Sequence, residues 1–182
     1  SMDQESVDLN AYLALECKLL KKFAGILGVT FDGPDNGAQV ADYFFDKEKG
    51  FFFDRRLKDG SFIQEPGCEA YTPMWTEVAT ADQVKAMMPL LTDTAKFSTY
   101  IPFPTVAADN PKYNPRGYWR GPIWLDQTYF AIRGLRNYGY NKMADEYTMQ
   151  VFDRLQGLKE GAPIHENYGT HTGELLKAPH FS

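Results

Sequence analysis

The sequence predicts an all-α protein of paired helices carrying one small β-hairpin. Three observations predict it. Apolar residues recur at helical spacing through most of the chain. The helical stretches follow one another in about three pairs joined by short links, as in a bundle, a solenoid or part of an α/α toroid. Only the stretch around Gly50 to Ile63 breaks that period, with clustered phenylalanines and a turn signal at Asp59-Gly60.

The elements follow in order. Over 7–27, Leu9, Leu13, Cys17, Leu20, Ala24 and Leu27 form one stripe, and Tyr12, Leu15, Leu19, Phe23 and Ile26 a second beside it. A helix this apolar is expected to pack on two sides, and Gly28 stops it. A loop follows to Gly37. Residues 38–47 read as a shorter helix through Val40, Tyr43 and Phe44. The hairpin is expected to pair Gly50–Asp54 with Ser61–Ile63. Residues 68–79 return to helix with Met74, Trp75 and Val78. Thr80 with Gln83 makes a capping box for the next helix, which Pro89 should break or kink near Met88. Residues 98–117 hold four prolines and no period, and a loop this long is more often functional than idle. A helix over 122–138 starts at Gly121-Pro122, since proline suits the first helical position; it runs through Leu125, Tyr129, Ile132 and Leu135 to Gly139. Asn141 caps a last helix over 142–156 that buries Met143, Tyr147, Val151 and Leu155. Residues 157–182 read as irregular.

At 182 residues, 43% hydrophobic and 24% charged, the chain has the composition of one globular domain. A net charge of −5 and the absence of any basic tract argue against a nucleic-acid partner. No apolar run approaches the roughly 20 residues of a membrane span, so no membrane partner is expected and the protein reads as soluble. The compartment stays open; a periplasmic or secreted one is compatible. Cys17 and Cys68 have no metal-ligand spacing. Ser1-Met2 reads as an expression remnant, so the native start lies outside this sequence.

The stretch with most chemistry runs from Gly117 to Gln127. It sets Tyr118, Trp119, Arg120, Trp124 and Asp126 at the mouth of a helix. Flat aromatic faces beside charged hydrogen-bonding groups suit a sugar, with its apolar C–H faces and rim of hydroxyls. Burial of both tryptophans in the core, with Arg120 a surface cation, is an equal reading. Asp126 lies in a first helical turn, where the dipole stabilises a carboxylate; it is a helix-end charge or a sugar ligand. Glu166 sits in a loop between His165 and Asn167, followed by Tyr168. A loop carboxylate among hydrogen-bonding groups can activate water, although an arbitrary loop glutamate is usually just solvated. Glu65, Glu69 and Glu77 are structural by default. His165, His171 and His180 are spaced by six and nine, which matches no local ligand pair. There is no nucleophile elbow, phosphate loop or dinucleotide fingerprint.

Tyr118-Trp119-Arg120-Gly121-Pro122-Ile123-Trp124, Gly139-Tyr140, Glu166-Asn167-Tyr168, Thr172-Gly173-Glu174 and Ala178-Pro179-His180-Phe181-Ser182 together resemble glycoside hydrolase family 63, the processing α-glucosidase family. The opening Ser6-Val7-Asp8-Leu9-Asn10-Ala11-Tyr12-Leu13 resembles the same family and the related trehalases. The resemblance implies an (α/α)6 toroid and inverting hydrolysis of α-glycosidic bonds, most simply of α-glucosides or oligosaccharides. It needs two carboxylic groups about 6.5–9.5 Å apart with water between. The match gives Glu166 the base role. Tyr118, Trp119, Arg120 and Trp124 fall in the sugar-binding stretch with Asp126 at its end, and His165 and Tyr168 flank the base. The acid belongs to a motif upstream of Asp8-Leu9-Asn10-Ala11, before residue 1. No cofactor is required. Calcium, bound by some relatives, finds no Asp-x-Asp-x-Asn loop here.

The expectation is therefore an all-α partial (α/α)6 toroid of about three helical hairpins, the C-terminal half of a catalytic domain spanning 1–182. It would carry the base but not the acid and be inactive alone. Its inner face should expose an apolar patch and favour self-association. The alternatives are a complete small hydrolase using Asp126 and Glu166, and a non-catalytic carbohydrate-binding or scaffolding module.

Overall fold

The computed structural model describes residues 3–176. Six helices dominate: α1 (Val7–Leu27), α2 (Gly37–Phe44), α3 (Tyr71–Trp75), α4 (Ala81–Leu91), α5 (Leu125–Asn137) and α6 (Asn141–Arg154). A 3-10 turn, Cys68–Ala70, leads into α3. The helices α1, α3 and α5 pack side by side in one row, while α2 lies against α1 and α6 against α5. That is the layered arrangement of helical hairpins in a sector of an α/α toroid. Among the described residues, no helix is long and apolar enough to cross a membrane.

The row depends on small contacts. Gly134 on α5 faces α3 so closely that an added Cβ would lie 2.7 Å from the Met74 Cβ. The Asn137 side-chain amide then donates to the Trp75 carbonyl at 2.9 Å, satisfying an orphan group at the end of α3. Tyr12 of α1, Trp75 of α3 and Phe130 of α5 join the three helices through ring contacts at 4.5–6.2 Å. The main core gathers Phe44, Phe51, Phe52, Phe53, Phe97, Phe103 and Tyr71 around Met74, Met87 and Leu135.

Helix α1 has the expected bounds because Gly28 adopts the left-handed conformation (φ 67°) that closes it. Its burial differs from the expected stripes. It packs on one side only, through Val7, Ala11, Ala14 and Ala24, and leaves Leu9, Leu13, Leu19, Leu20, Phe23, Ile26 and Leu27 exposed. The small alanines take the interface because they let neighbouring backbones approach. The exposed residues make the apolar patch that the half-toroid reading expected.

The β structure is a correction. Phe51–Phe52 (β3) pairs with Phe45–Asp46 (β2), not with 61–63. Arg55–Arg56 (β4) pairs with Gln4–Glu5 (β1) at the start of the chain. Ser61–Ile63 meets this region through an isolated bridge, Arg55 to Phe62. The helix expected over 38–47 therefore ends at Phe44 and passes straight into a strand. Buried Asp46 holds the tight turn by accepting the amides of Glu48 (2.9 Å) and Lys49 (3.1 Å).

Other helix boundaries move as well. The stretch read as helix over 68–79 keeps only the 3-10 turn and α3. Helix α4 continues through Pro89 but ends at Leu91, two residues on; the proline gives no N–H bond to the Lys85 carbonyl, and the helix stops within that turn. The Thr80–Gln83 capping box at its start is present in both directions. Helix α5 begins at Leu125, and Tyr129 on it is exposed, its core face being Thr128, Ala131, Gly134 and Leu135. Tyr140, rather than Asn141, precedes α6, with no side-chain cap.

Candidate active site

The Gly117–Trp124 stretch is not a helix entrance. It is a loop pinned at both ends. Ahead of it, two successive Asn-Pro turns fold residues 110–117. In each the asparagine carbonyl accepts the amide three residues on (Tyr113 to Asn110 and Gly117 to Asn114, both 2.8 Å), and its side chain accepts the amide two residues on. Asparagine first and proline second is the residue order such turns favour. Behind it, Ile123 and Tyr168 exchange both backbone hydrogen bonds at 2.9 Å. This bridge brings the aromatic loop against the Glu166 loop and explains why the helix waits until Leu125.

Gly121 sits at the centre of the clamp with φ 150°. The buried Thr105 hydroxyl accepts its N–H at 3.0 Å and donates to the Pro122 carbonyl at 3.1 Å. The buried Thr170 hydroxyl donates to the Gly121 carbonyl at 2.6 Å. An added Cβ at Gly121 would lie 2.7 Å from the Tyr113 ring. A smaller core of Ile101, Ile123, Val151, Leu155 and Tyr168 supports the junction from below.

On this support, Tyr118 takes a left-handed backbone (φ 61°), a strained state for a non-glycine residue that is enriched at functional sites. Its hydroxyl donates to Glu166, and that bond raises the Tyr118 phenol above its ordinary pKa. Trp119 is exposed and stacks on Trp124 at 4.0 Å and 13°. Trp124 is buried, sets its edge against Tyr118 at 4.9 Å, and donates its indole N–H to the Tyr118 carbonyl at 3.0 Å. So Trp124 is a core residue, as the burial reading expected of both tryptophans, while Trp119 is exposed. The Tyr168 hydroxyl accepts the His165 backbone N–H at 3.0 Å, fixing the loop just before Glu166.

Trp119 and Arg120 line a cleft of about 250 Å³ together with Gln4, Asp54, Glu65, Glu69, Asn110 and Lys112. Neither Glu166 nor its partner Tyr118 is among the lining residues; Tyr118 precedes the lining residue Trp119 in the chain. Asp126 is not among the lining residues either: its carboxylate accepts from the neighbouring Gln127 amide at 2.8 Å and raises the pKa of Tyr12 on α1 and of Cys68 in the 3-10 turn through its charge. His165 carries its ring 6.3 Å from that of Tyr168. His171 meets the Tyr113 hydroxyl at 3.0 Å. His180 and the Ala178–Ser182 motif lie outside the described residues. Among those residues no group of three His, Cys, Asp or Glu could hold a metal ion.

Sequence reasoning missed Glu69, Asp54 and the two threonines. Burial pushes the Glu69 carboxyl up to about 8, with the Asp54 and Asp8 carboxylates adding to it. Burial likewise raises Asp54, against donation from the Val7 amide. No local pattern marks these residues. The Asn-Pro repeats at 110–117 were a readable signal for the loop's shape.

The layered helices are those of a sector of an (α/α)6 toroid. Over 98% of this chain the structure matches the GH63 mannosylglycerate hydrolase of Thermus thermophilus with a TM-score of 0.82 at 20% identity, covering 43% of that chain. It matches the neutral trehalase Nth1 of Saccharomyces cerevisiae with a TM-score of 0.77 at 19% identity, over 97% of this chain and 36% of that one. The chain belongs to the mannosylglycerate hydrolase MGH1-like glycoside hydrolase domain family, which it matches over residues 1–182. It is 28% identical over 141 residues to a mannosylglycerate hydrolase of Rubrobacter radiotolerans (69% of this chain, 32% of that protein). It is 27% identical over 137 residues to mannosylglycerate hydrolase MGH1 of Selaginella moellendorffii (75% and 27%). The chain thus spans about a third of these curated relatives and under half of the Thermus structure.

Proposed function

We propose that this chain is the base-bearing part of an inverting α-glycosidase, the C-terminal half of an (α/α)6 catalytic domain. The observation that carries the reading is the Tyr118–Glu166 hydrogen bond, which joins the aromatic loop to the loop carboxylate across 48 residues of sequence. Glu166 activates water, and the bond from Tyr118 aims the carboxylate. Trp119 offers the flat face on which a sugar's C–H groups stack, Arg120 hydrogen-bonds its hydroxyls from the adjoining cleft, and Trp124, His165 and Tyr168 hold these groups in place. Asp126 serves the helix start or a distal hydroxyl. Its hydrogen bonds go to its own neighbour Gln127, so it is not assigned the acid role here. The acid comes from outside it.

The family's name and its relatives favour an α-mannoside of glycerate as substrate ahead of the α-glucosides suggested by the motif resemblance. The apolar face of α1 meets the rest of the toroid, or a second copy where that part is missing.

The test is hydrolysis of α-mannosylglycerate and of α-glucosides by this chain and by a version extended upstream, with NMR reading the anomer first released. The extended protein should turn over with inversion, and Glu166→Gln should lower kcat about 10²–10⁴-fold. Turnover by the 182-residue chain alone, or full activity of Glu166→Gln, would sink the proposal.

A further inference from the structure

We propose that Glu69 is a further sugar-binding residue of this protein, donating a hydrogen bond from its carboxyl group to a hydroxyl oxygen of the ligand in the cleft beside Trp119 and Arg120. The inference rests on the reading of that cleft as a sugar site and adds a residue to it.

Three features of the cleft single out Glu69. The first is partner accounting. Asp54 accepts the Val7 amide at 2.8 Å and the Gln4 side chain; Glu65 accepts Lys112 and Asn110, each at 2.6 Å. Both carboxylates are thereby committed to the protein. The Glu69 carboxyl engages its own backbone amide, which leaves its outer edge to the cleft. The second is position. The carboxyl lies folded over Gly67, where an added Cβ would stand 2.3 Å from one of its oxygens, so a glycine is what lets it lie along the cleft wall.

The third is charge. Glu69 meets Asp54 from the turn after β3, Asp8 from α1, and Cys68 and Tyr71 from its own segment, while Glu65, Lys112 and Arg120 share the cleft. Glu65 pairs with Lys112, which leaves Arg120 as the remaining cation lining the cleft against Asp54, Asp8 and Glu69. Ionised Glu69 would add to an excess of anions, and burial already disfavours its charge. The group accordingly keeps its proton up to about pH 8. A protonated carboxyl is a donor as well as an acceptor, which fits it to the hydroxyl oxygens of a sugar.

The experiment is an NMR titration of the 182-residue chain with α-mannosylglycerate and with methyl α-glucoside at pH 7 and pH 9.5. The parent should bind about 30-fold more weakly at pH 9.5, because only the fraction still protonated is competent. Glu69→Gln, nearly the same shape and always a donor, should bind equally at both pH values. Glu69→Ala should bind about tenfold more weakly than the parent at pH 7. Direct titration of the Glu69 carboxyl carbon should show a midpoint near 8. If a sugar binds and Glu69→Ala matches the parent, or if the parent binds as tightly at pH 9.5, the role of Glu69 is refuted while the sugar site stands. If neither sugar binds, the sugar site itself falls and this inference with it.

Discussion

Thr105 offers the sharpest test of how the loop is held. Its hydroxyl is buried, accepts the Gly121 N–H at 3.0 Å and donates to the Pro122 carbonyl at 3.1 Å. Thr105→Val keeps the volume and removes both bonds. Gly121 is buried, so its amide loses its side-chain acceptor with no water to replace it, at a cost of about 1–3 kcal/mol. The Pro122 carbonyl keeps the Thr105 backbone amide at 3.4 Å, so its loss is smaller, about 0.5–1 kcal/mol. Together the substitution should cost about 1.5–4 kcal/mol. For a chain of this size that is a fall in Tm of about 3–16 °C. Urea denaturation followed by far-UV circular dichroism would measure it, with Thr105→Ser as the control that keeps the hydroxyl. Thr170→Val removes the bond to the other side of the same glycine, so the double variant should lose less than the sum of the singles, because a loop already released has less to lose. A Thr105→Val protein within about 0.5 kcal/mol of the parent would refute the claim that these hydroxyls fix the loop.

Two further outcomes follow from the same contacts. Gly173→Ala would place a Cβ 2.1 Å from the Arg154 carbonyl oxygen at φ 69°, so overpacking and left-handed strain together should cost about 3 kcal/mol; a Tm unchanged within the error of the scan would contradict this. Glu69→Gln should alter the pH profile of stability. In the parent the folded pKa of about 8 lies above the ordinary 4.5, so the folded state holds a proton that the unfolded chain releases, and stability falls as pH rises from about 4.5 to 8. The glutamine variant lacks that slope and should overtake the parent by pH 8. Parallel profiles in urea denaturation would show that Glu69 is an ordinary carboxylate.

Where local chemistry decides the structure, the sequence was legible. Gly28 closes α1 and Thr80 with Gln83 opens α4, because a left-handed glycine and a capping box act within one turn. Where a distant partner decides, it was not. Gly121-Pro122 carries the punctuation of a helix start, yet Ile123 is held as a bridge strand by Tyr168, 45 residues away, and no periodicity reports that. Helix α1 is apolar around most of its circumference, so two stripes were equally visible. Which side is covered depends on Ala11 and Ala14 fitting their neighbours. The aromatic and Glu166 motifs were both readable, and their contact through Tyr118 agrees with the resemblance that paired them. Glu69 looked like one more helix-start glutamate; only the fold, by burying it and then setting Asp54 and Asp8 near it, makes it unusual.

The one-sided burial of α1 divides that helix into two regimes of local stability. Its first turns are anchored by Val7, Ala11 and Ala14, but from Leu15 to Leu27 only Ala24 is buried. The second half has good helix formers in Glu16, Lys18, Leu19, Lys21 and Lys22, offset by Gly25, which alone costs about 0.5–1 kcal/mol relative to alanine. With so little tertiary support, its opening free energy is set by local helix formation and lies far below that of the whole fold. Its backbone amides therefore exchange with solvent by fraying, while those near Ala11 wait for global unfolding. Any surface that settles on Leu19, Phe23 and Ile26 closes that gap, so the exchange rates along this single helix register whether its open face is covered.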